Sequence, residues 1–334
     1  MPSSRFRFLT FFGVTLLAGV LLSPLMGCDE GVIGVLGTEQ PYTLYGVINP
    51  RSDTQWVRVF PVQGRLAPRD AVPLDAAFRS VNLQTEETRV WQDSIIREPS
   101  GLYEHVFWSP FRATYGQSYR IEVVRSDDAT SHVETEVPQD ARLRLQEPIT
   151  RFGVSQAVLV EGNVPRLLRV EVIYSVDLLR PGTVDKFASE AISLPYSETT
   201  ARTDGGWTIS IDLSEARQTL VAQLRQAYAA PALDLRLLVM DLRLIVANEE
   251  WNPPGGVFDP NLLVQPGVLD NVENGFGFVG AGYRLRRQWK PTNDVLEEAG
   301  FSQQTDTSGS GPSSWHPPQS GDSLAVPDWI VNVE

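Results

Sequence analysis

The sequence predicts a mainly β protein: an N-terminal Ig-like β-sandwich followed by a second β-rich domain with one helix. Three observations carry this. Short runs of β-branched and aromatic residues recur between clusters of Gly, Pro, Asn and Asp. Several of these runs alternate apolar and polar residues with a period of two. Only one stretch, near residues 214–229, repeats apolar residues at helical spacing.

The first domain, residues 41–148, opens with Tyr42-Thr-Leu-Tyr-Gly-Val-Ile48 and Gln55-Trp-Val-Arg-Val-Phe-Pro-Val62. Between them lies Asn49-Pro-Arg-Ser-Asp-Thr54, a turn-rich connection that makes the two a hairpin. Ser118–Val124 and His132–Val137 flank a polar turn at Ser126–Ala129. In the latter run Val133, Thr135 and Val137 share one face while His132, Glu134 and Glu136 share the other, the alternation of a half-buried antiparallel strand. The second domain, residues 149–300, has strand-like runs at Val154–Val160 and Arg166–Val176. Ile192–Arg202 and Trp207–Ile211, joined through Asp204-Gly205, read as a hairpin with a tight primed turn. Ser214 can cap a helix in which Ala216, Leu220, Leu224 and Tyr228 line one side before Pro231 stops it. Leu233–Val246 follows as a long apolar strand or strand pair. Residues 301–334 are rich in Ser, Gly, Pro and Thr and read as a largely disordered tail, although Val326–Val331 is apolar enough to dock.

Ahead of these domains stands a leader. Arg5 and Arg7 give a positive n-region, Phe8–Leu22 is apolar, and Pro24 follows. Fifteen apolar residues fall short of the ~20 that span a bilayer. The run stops at Leu25-Met26-Gly27-Cys28, and Cys28 is the only cysteine in 334 residues. This is the pattern of a bacterial lipobox: residues 1–27 form a signal peptide and Cys28 is the site of lipidation. The thiol becomes a diacylglyceryl thioether, and cleavage after Gly27 frees an amine for further acylation, so that two or three chains anchor stably where one would be marginal. Residues 28–40, glycine-rich from Gly31, form a tether.

The charge balance bounds the partners. Formal charge is −13, and losing the leader removes two arginines and no acid, taking it to −15. Such a body repels nucleic acid, and it repels anionic headgroups, so the acyl chains are expected to hold it to the membrane. With Cys28 lipidated no thiol remains for a disulfide, a nucleophile or a zinc-thiolate site. Lysine occurs only at Lys186 and Lys290.

Motifs for chemistry are sparse. His105 falls in a strand, His132 on a polar strand face and His316 in the tail, with no metal-ligand spacing among them. No G-x-S-x-G elbow is present. Asp270-Asn-Val-Glu-Asn274 offers oxygens without the spacing of a calcium loop and reads as a polar loop before a strand. Gly275-Phe-Gly-Phe-Val-Gly280 satisfies G-x-G-x-x-G, but it comes late in the chain with no helix cap after it. It reads as a glycine-aromatic strand passed closely by another backbone, with no cofactor implied.

The same stretch carries a resemblance. Asp259-Pro-Asn261 and Asn271-Val-Glu-Asn-Gly-Phe-Gly-Phe-Val-Gly-Ala281, together with the lipobox, the Tyr42–Ile48 strand and the Tyr115–Pro138 hairpin, resemble the landmarks of domain of unknown function 4249, a family of bacterial envelope lipoproteins. The chain departs from that pattern at Glu273-Asn274, where the family has a glycine pair, and at Val279, where it has an aromatic. The resemblance implies an envelope lipoprotein, often encoded beside a TonB-dependent outer-membrane receptor, and it brings no catalytic residues. Three readings follow: a non-enzymatic accessory or binding lipoprotein partnering that receptor, a structural or adhesive surface lipoprotein, and a secreted glycan or peptide hydrolase. The last rests on eight tryptophans as sugar platforms, but Trp56, Trp91, Trp108 and Trp207 lie in or near strands, where core packing explains them.

Overall fold

A computed structural model describes residues 41–62, 73–97, 103–151, 153–251 and 270–303. The protein is mainly β, with several sheets in a sandwich-like arrangement. In chain order the first strands are β1 (Tyr42–Ile48), β2 (Gln55–Pro61), β3 (Ala77–Asn82), β4 (Thr88–Val90), β5 (Gln92–Arg97), β6 (Tyr103–Ser109), β7 (Ser118–Val124), β8 (Thr130–Glu136) and β9 (Arg142–Leu145). There follow β10 (Ser155–Glu161), β11 (Arg166–Leu179), β12 (Lys186–Pro195), β13 (Thr200–Thr203) and β14 (Gly206–Asp212). Helix α1 (Leu213–Ala227), β15 (Asp234–Ala247), β16 (Gly275–Trp289) and a short helix α2 (Asn293–Glu298) complete them. The second helix is an element the sequence pattern did not reveal, being too short for a periodic signal.

One eight-stranded sheet, in the order β12-β11-β15-β16-β1-β2-β6-β5, runs through both halves, and two four-stranded sheets, β4-β3-β7-β8 and β13-β14-β10-β9, complete the β structure. Two cores lie on one side of the long sheet. The first gathers Leu44, Val57, Phe78, Phe107, Tyr119, Ile121 and Val133. The second gathers Val158, Val172, Tyr174, Ile209, Leu220, Leu242 and Phe301. β16 serves both: Val279 and Ala281 face the first core, Tyr283 and Leu285 the second. Its first half pairs in parallel with β1, Leu44 opposite Gly277, and its second half pairs antiparallel with β15, Val246 opposite Tyr283.

This dual membership accounts for the glycine run. A Cβ on Gly277 would stand 2.2 Å from the Leu44 carbonyl oxygen, and its φ of +98° is one that L side chains rarely adopt. A Cβ on Gly275 would meet the Tyr42 carbonyl at 2.8 Å. The glycines admit a neighbouring strand, as the sequence predicts, and they lie within a strand rather than before a helix.

Three local expectations are corrected. Helix α1 is capped by Asp212, whose carboxylate accepts the Glu215 N–H at 2.8 Å, while Ser214 accepts from Val154 N–H at 3.3 Å instead. Ile192–Arg202 is not one strand: β12 ends at Pro195 on the long sheet and β13 starts at Thr200 on another, the chain changing sheets between them. The β13–β14 hairpin forms, with Thr203 opposite Gly206, but the positive φ (+140°) falls on Gly206 and not on Asp204 or Gly205, so its turn is not of the primed type. Leu233–Val246 resolves into the single strand β15.

Candidate functional site

Because side chains alternate along a strand, each inward row on the long sheet implies an outward one. The outward row faces away from both cores and divides into two chemically distinct halves. Over β1, β2, β6 and β5 it is aromatic. Tyr45, Trp56, Phe60 and Trp108 are all half-buried. Trp56 stands opposite Trp108, their rings stacked at 5.8 Å, and Tyr45 lies 6.3 Å from Phe60. The Trp108 indole N–H donates to Ser94 Oγ at 3.0 Å, which satisfies its polar atom and leaves ring surface to neighbours. Between the aromatics Arg58 and Glu104 form an ion pair at 3.3 Å with little solvent exposure. At the centre of the sheet Leu168, Ala247, Trp251 and Phe278 form a small apolar cluster on the same face.

Over β12, β11, β15 and β16 the outward face is ionic. Asp177 is 3% exposed; it accepts from Ser189 Oγ at 2.6 Å and from Arg236 at 2.7 Å, with the Lys186 ammonium at 3.1 Å. Burial pushes this carboxyl upward, but the Ser189, Arg236 and Lys186 bonds outweigh it and hold it below the usual carboxylate range. Asp241 repeats the arrangement one step along, between Arg286 at 2.7 Å and Arg243 at 2.9 Å, again with burial overcome by its two guanidinium partners. Arg284, opposite Ile245, is exposed beside them. Lys290 follows the end of β16; burial, then the nearby Arg236 charge, depresses its ammonium. Both lysines of the chain thus belong to this half.

A third polar cluster sits where β8 meets the turn after β15. Asn248, 2% exposed, donates to Thr135 Oγ1 at 2.8 Å, to the Glu136 carbonyl at 3.1 Å and to the Glu250 carboxylate. Burial raises Glu250 above the usual carboxylate range, against the lowering effect of the bonds from Thr135 and Asn248.

The residues singled out in the sequence fall as follows. Cys28, the tether, His316 and the Val326–Val331 segment lie outside the described residues. His105 faces Asp93 across β5 and β6 at 3.2 Å, and His132 faces Glu273 at 3.0 Å, each histidine with one carboxylate. The Asp270–Asn274 loop precedes β16 and is spent on the backbone: Asn271 brackets Val279, Asp270 accepts Val272 N–H, and Glu273 exchanges backbone bonds with His132. Among the described residues no group of three or more His, Cys, Asp or Glu side chains converges as metal ligands would. Trp91 packs in the first core, whereas Trp56, Trp108 and Trp207 are only half-buried. The ionic half was missed because Asp234-Leu-Arg-Leu-Leu-Val-Met-Asp-Leu-Arg-Leu-Ile-Val-Ala247 is read most readily as an apolar strand. Its charges at positions 234, 236, 241 and 243 were the available signal.

Among the described residues no helix is long and apolar enough to cross a membrane. No known protein family matches the chain, and no curated protein does. Among solved structures, a pullulanase from Anoxybacillus sp. LM18-11 matches with 11% identity and a TM-score of 0.20, over 67% of this chain and 28% of that one. The chain therefore spans little more than a quarter of that enzyme, and an overlap at this TM-score carries no argument about fold or activity.

Proposed function

We propose that this chain is a lipid-anchored protein of the bacterial envelope that works by binding, as an accessory partner of an outer-membrane TonB-dependent receptor, and not by catalysis. The observation that carries the reading is the aromatic half of the outward sheet face. Tyr45, Trp56, Phe60 and Trp108 are half-buried and bring broad, rigid rings together on one sheet face, the composition favoured at protein interfaces and at their energetic centres. The lipobox ending at Cys28 and the resemblance to a family of envelope lipoproteins support this location and this class of partner.

The test is a crosslinking pull-down of the tagged lipoprotein from its native membranes, read by mass spectrometry, beside a Trp56→Ala/Trp108→Ala variant. Stoichiometric recovery of a TonB-dependent receptor with the native chain, reduced at least tenfold with the variant, is expected, since an aromatic anchor of this kind is worth about 2 kcal/mol. A clean preparation without a receptor overturns the reading and leaves the adhesive and hydrolytic alternatives for glycan-array and hydrolase screens.

A further inference from the structure

From the ionic half of the long sheet we infer a second contact: the outward face of β12, β11, β15 and β16 lies against the phosphate layer of an anionic lipid leaflet. The inference rests on the lipid-anchored reading and adds to it a surface and an orientation.

The net charge of the chain argues the other way only if it is taken as an average. Charges in solution act over about 8 Å at physiological ionic strength, so a headgroup responds to the face nearest it and not to the whole body. On this face the cations are Lys186, Arg236, Arg243, Arg284, Arg286 and Lys290; the acids are Asp177 and Asp241, Glu171 directly opposite Arg243, and Asp234 at the end of β15. Cations exceed acids there, on a chain whose formal charge is −13.

The geometry makes that excess available outward. Asp177 and Asp241 are nearly buried at the floor, 3% and 4% exposed. Their partners rise over them: about half of the side-chain surface of Lys186, Arg243 and Arg286 remains in solvent. Each buried carboxylate thus fixes two cations and leaves donors pointing away from the protein. A guanidinium fork held this way offers its remaining N–H groups to a phosphate with little further loss of side-chain freedom.

The two lysines give a direct readout, since no other ammonium side chain exists in the sequence. The full chain, produced with its leader so that it is processed and lipidated, is reconstituted into vesicles of phosphatidylcholine alone or mixed with phosphatidylglycerol. Floated protein is then treated with an amine-acylating reagent, and modification at Lys186 and Lys290 is followed by mass spectrometry. Labelling of both is expected to slow on the order of fivefold on the anionic vesicles, to recover in high salt, and to slow less in an Arg284→Glu variant that melts normally. Equal rates on the two kinds of vesicle overturn the inference while leaving the anchor intact. Equal slowing by inorganic phosphate in detergent micelles also overturns it, in favour of a free-anion site. A chain that floats with neither vesicle overturns the lipid-anchored reading and this inference with it.

Discussion

Asn271 holds both backbone polar groups of Val279: the carboxamide oxygen accepts the Val279 N–H at 3.0 Å, and the carboxamide nitrogen donates to the Val279 carbonyl at 2.9 Å. The side chain thereby imitates a neighbouring strand and anchors the loop that leads into β16. Asn271→Ala leaves both backbone groups without these partners and is expected to cost about 2 kcal/mol, read by denaturant unfolding. Asn271→Asp is expected to be no better, because its carboxylate keeps one bond and sets negative charge against the carbonyl. An Asp variant as stable as the native chain would refute the two-sided role.

Gly277→Ala is expected to be the more damaging change, by about 3 kcal/mol or more. The new Cβ meets the Leu44 carbonyl oxygen at 2.2 Å, and neither backbone can move without parting β1 from β16. Gly182→Ala provides the comparison. Its φ of +68° is also positive, but no atom lies within 4 Å of its Cβ, so only the conformational cost of about 1 kcal/mol applies. Melting temperatures of the two variants separate crowding from backbone preference.

At the start of α1 the order of effects distinguishes the true cap from its neighbour. Asp212→Ala removes the acceptor for Glu215 N–H and is expected to destabilise by about 1 kcal/mol. Ser214→Ala removes a 3.3 Å bond to Val154 N–H and is expected to cost about half as much. A larger loss at Ser214 than at Asp212 would reverse the assignment.

The carboxylates predict opposite responses to pH. Asp177 and Asp241 are held below their ordinary value of 3.8, so the stability they contribute is present above it and is lost as pH falls through their depressed folded values. Asp241→Asn is therefore expected to cost about 1 kcal/mol at neutral pH, a cost that vanishes as pH falls through the depressed folded value. Glu250 is raised above 4.5, so its favourable contribution belongs to the protonated form, is present below 4.5 and is lost as pH rises through the folded value. Glu250→Gln is accordingly expected to raise the melting temperature at pH 7 and to leave it unchanged in acid, as thermal melts across the range will read.

What the sequence disclosed follows the range of the interaction involved. The aromatic and β-branched residues of Tyr42–Ile48 and Ser118–Val124 mark β1 and β7 to the residue, because such side chains fit a half-buried pleated surface. The break between Pro195 and Thr200 was not legible, since either sheet satisfies the apolar residues on its side. Asp212 was passed over as a cap because Ser214 is an equally good capping residue two positions on, and the choice turns on Val154, far away in sequence. The outward face needed register: Trp56 and Trp108, or Asp177 and Arg236, become neighbours only once their strands are aligned.

Consider finally a chain made from its amino end. Leu44 waits for Gly277, more than two hundred residues later, before its strand gains its second neighbour. The early half of the chain therefore emerges with an apolar edge it cannot close, and closure over so long a loop is slow compared with local pairing. Both cores meet on this one strand, which lends Val279 and Ala281 to the first and Tyr283 and Leu285 to the second, so damage to β16 reaches both.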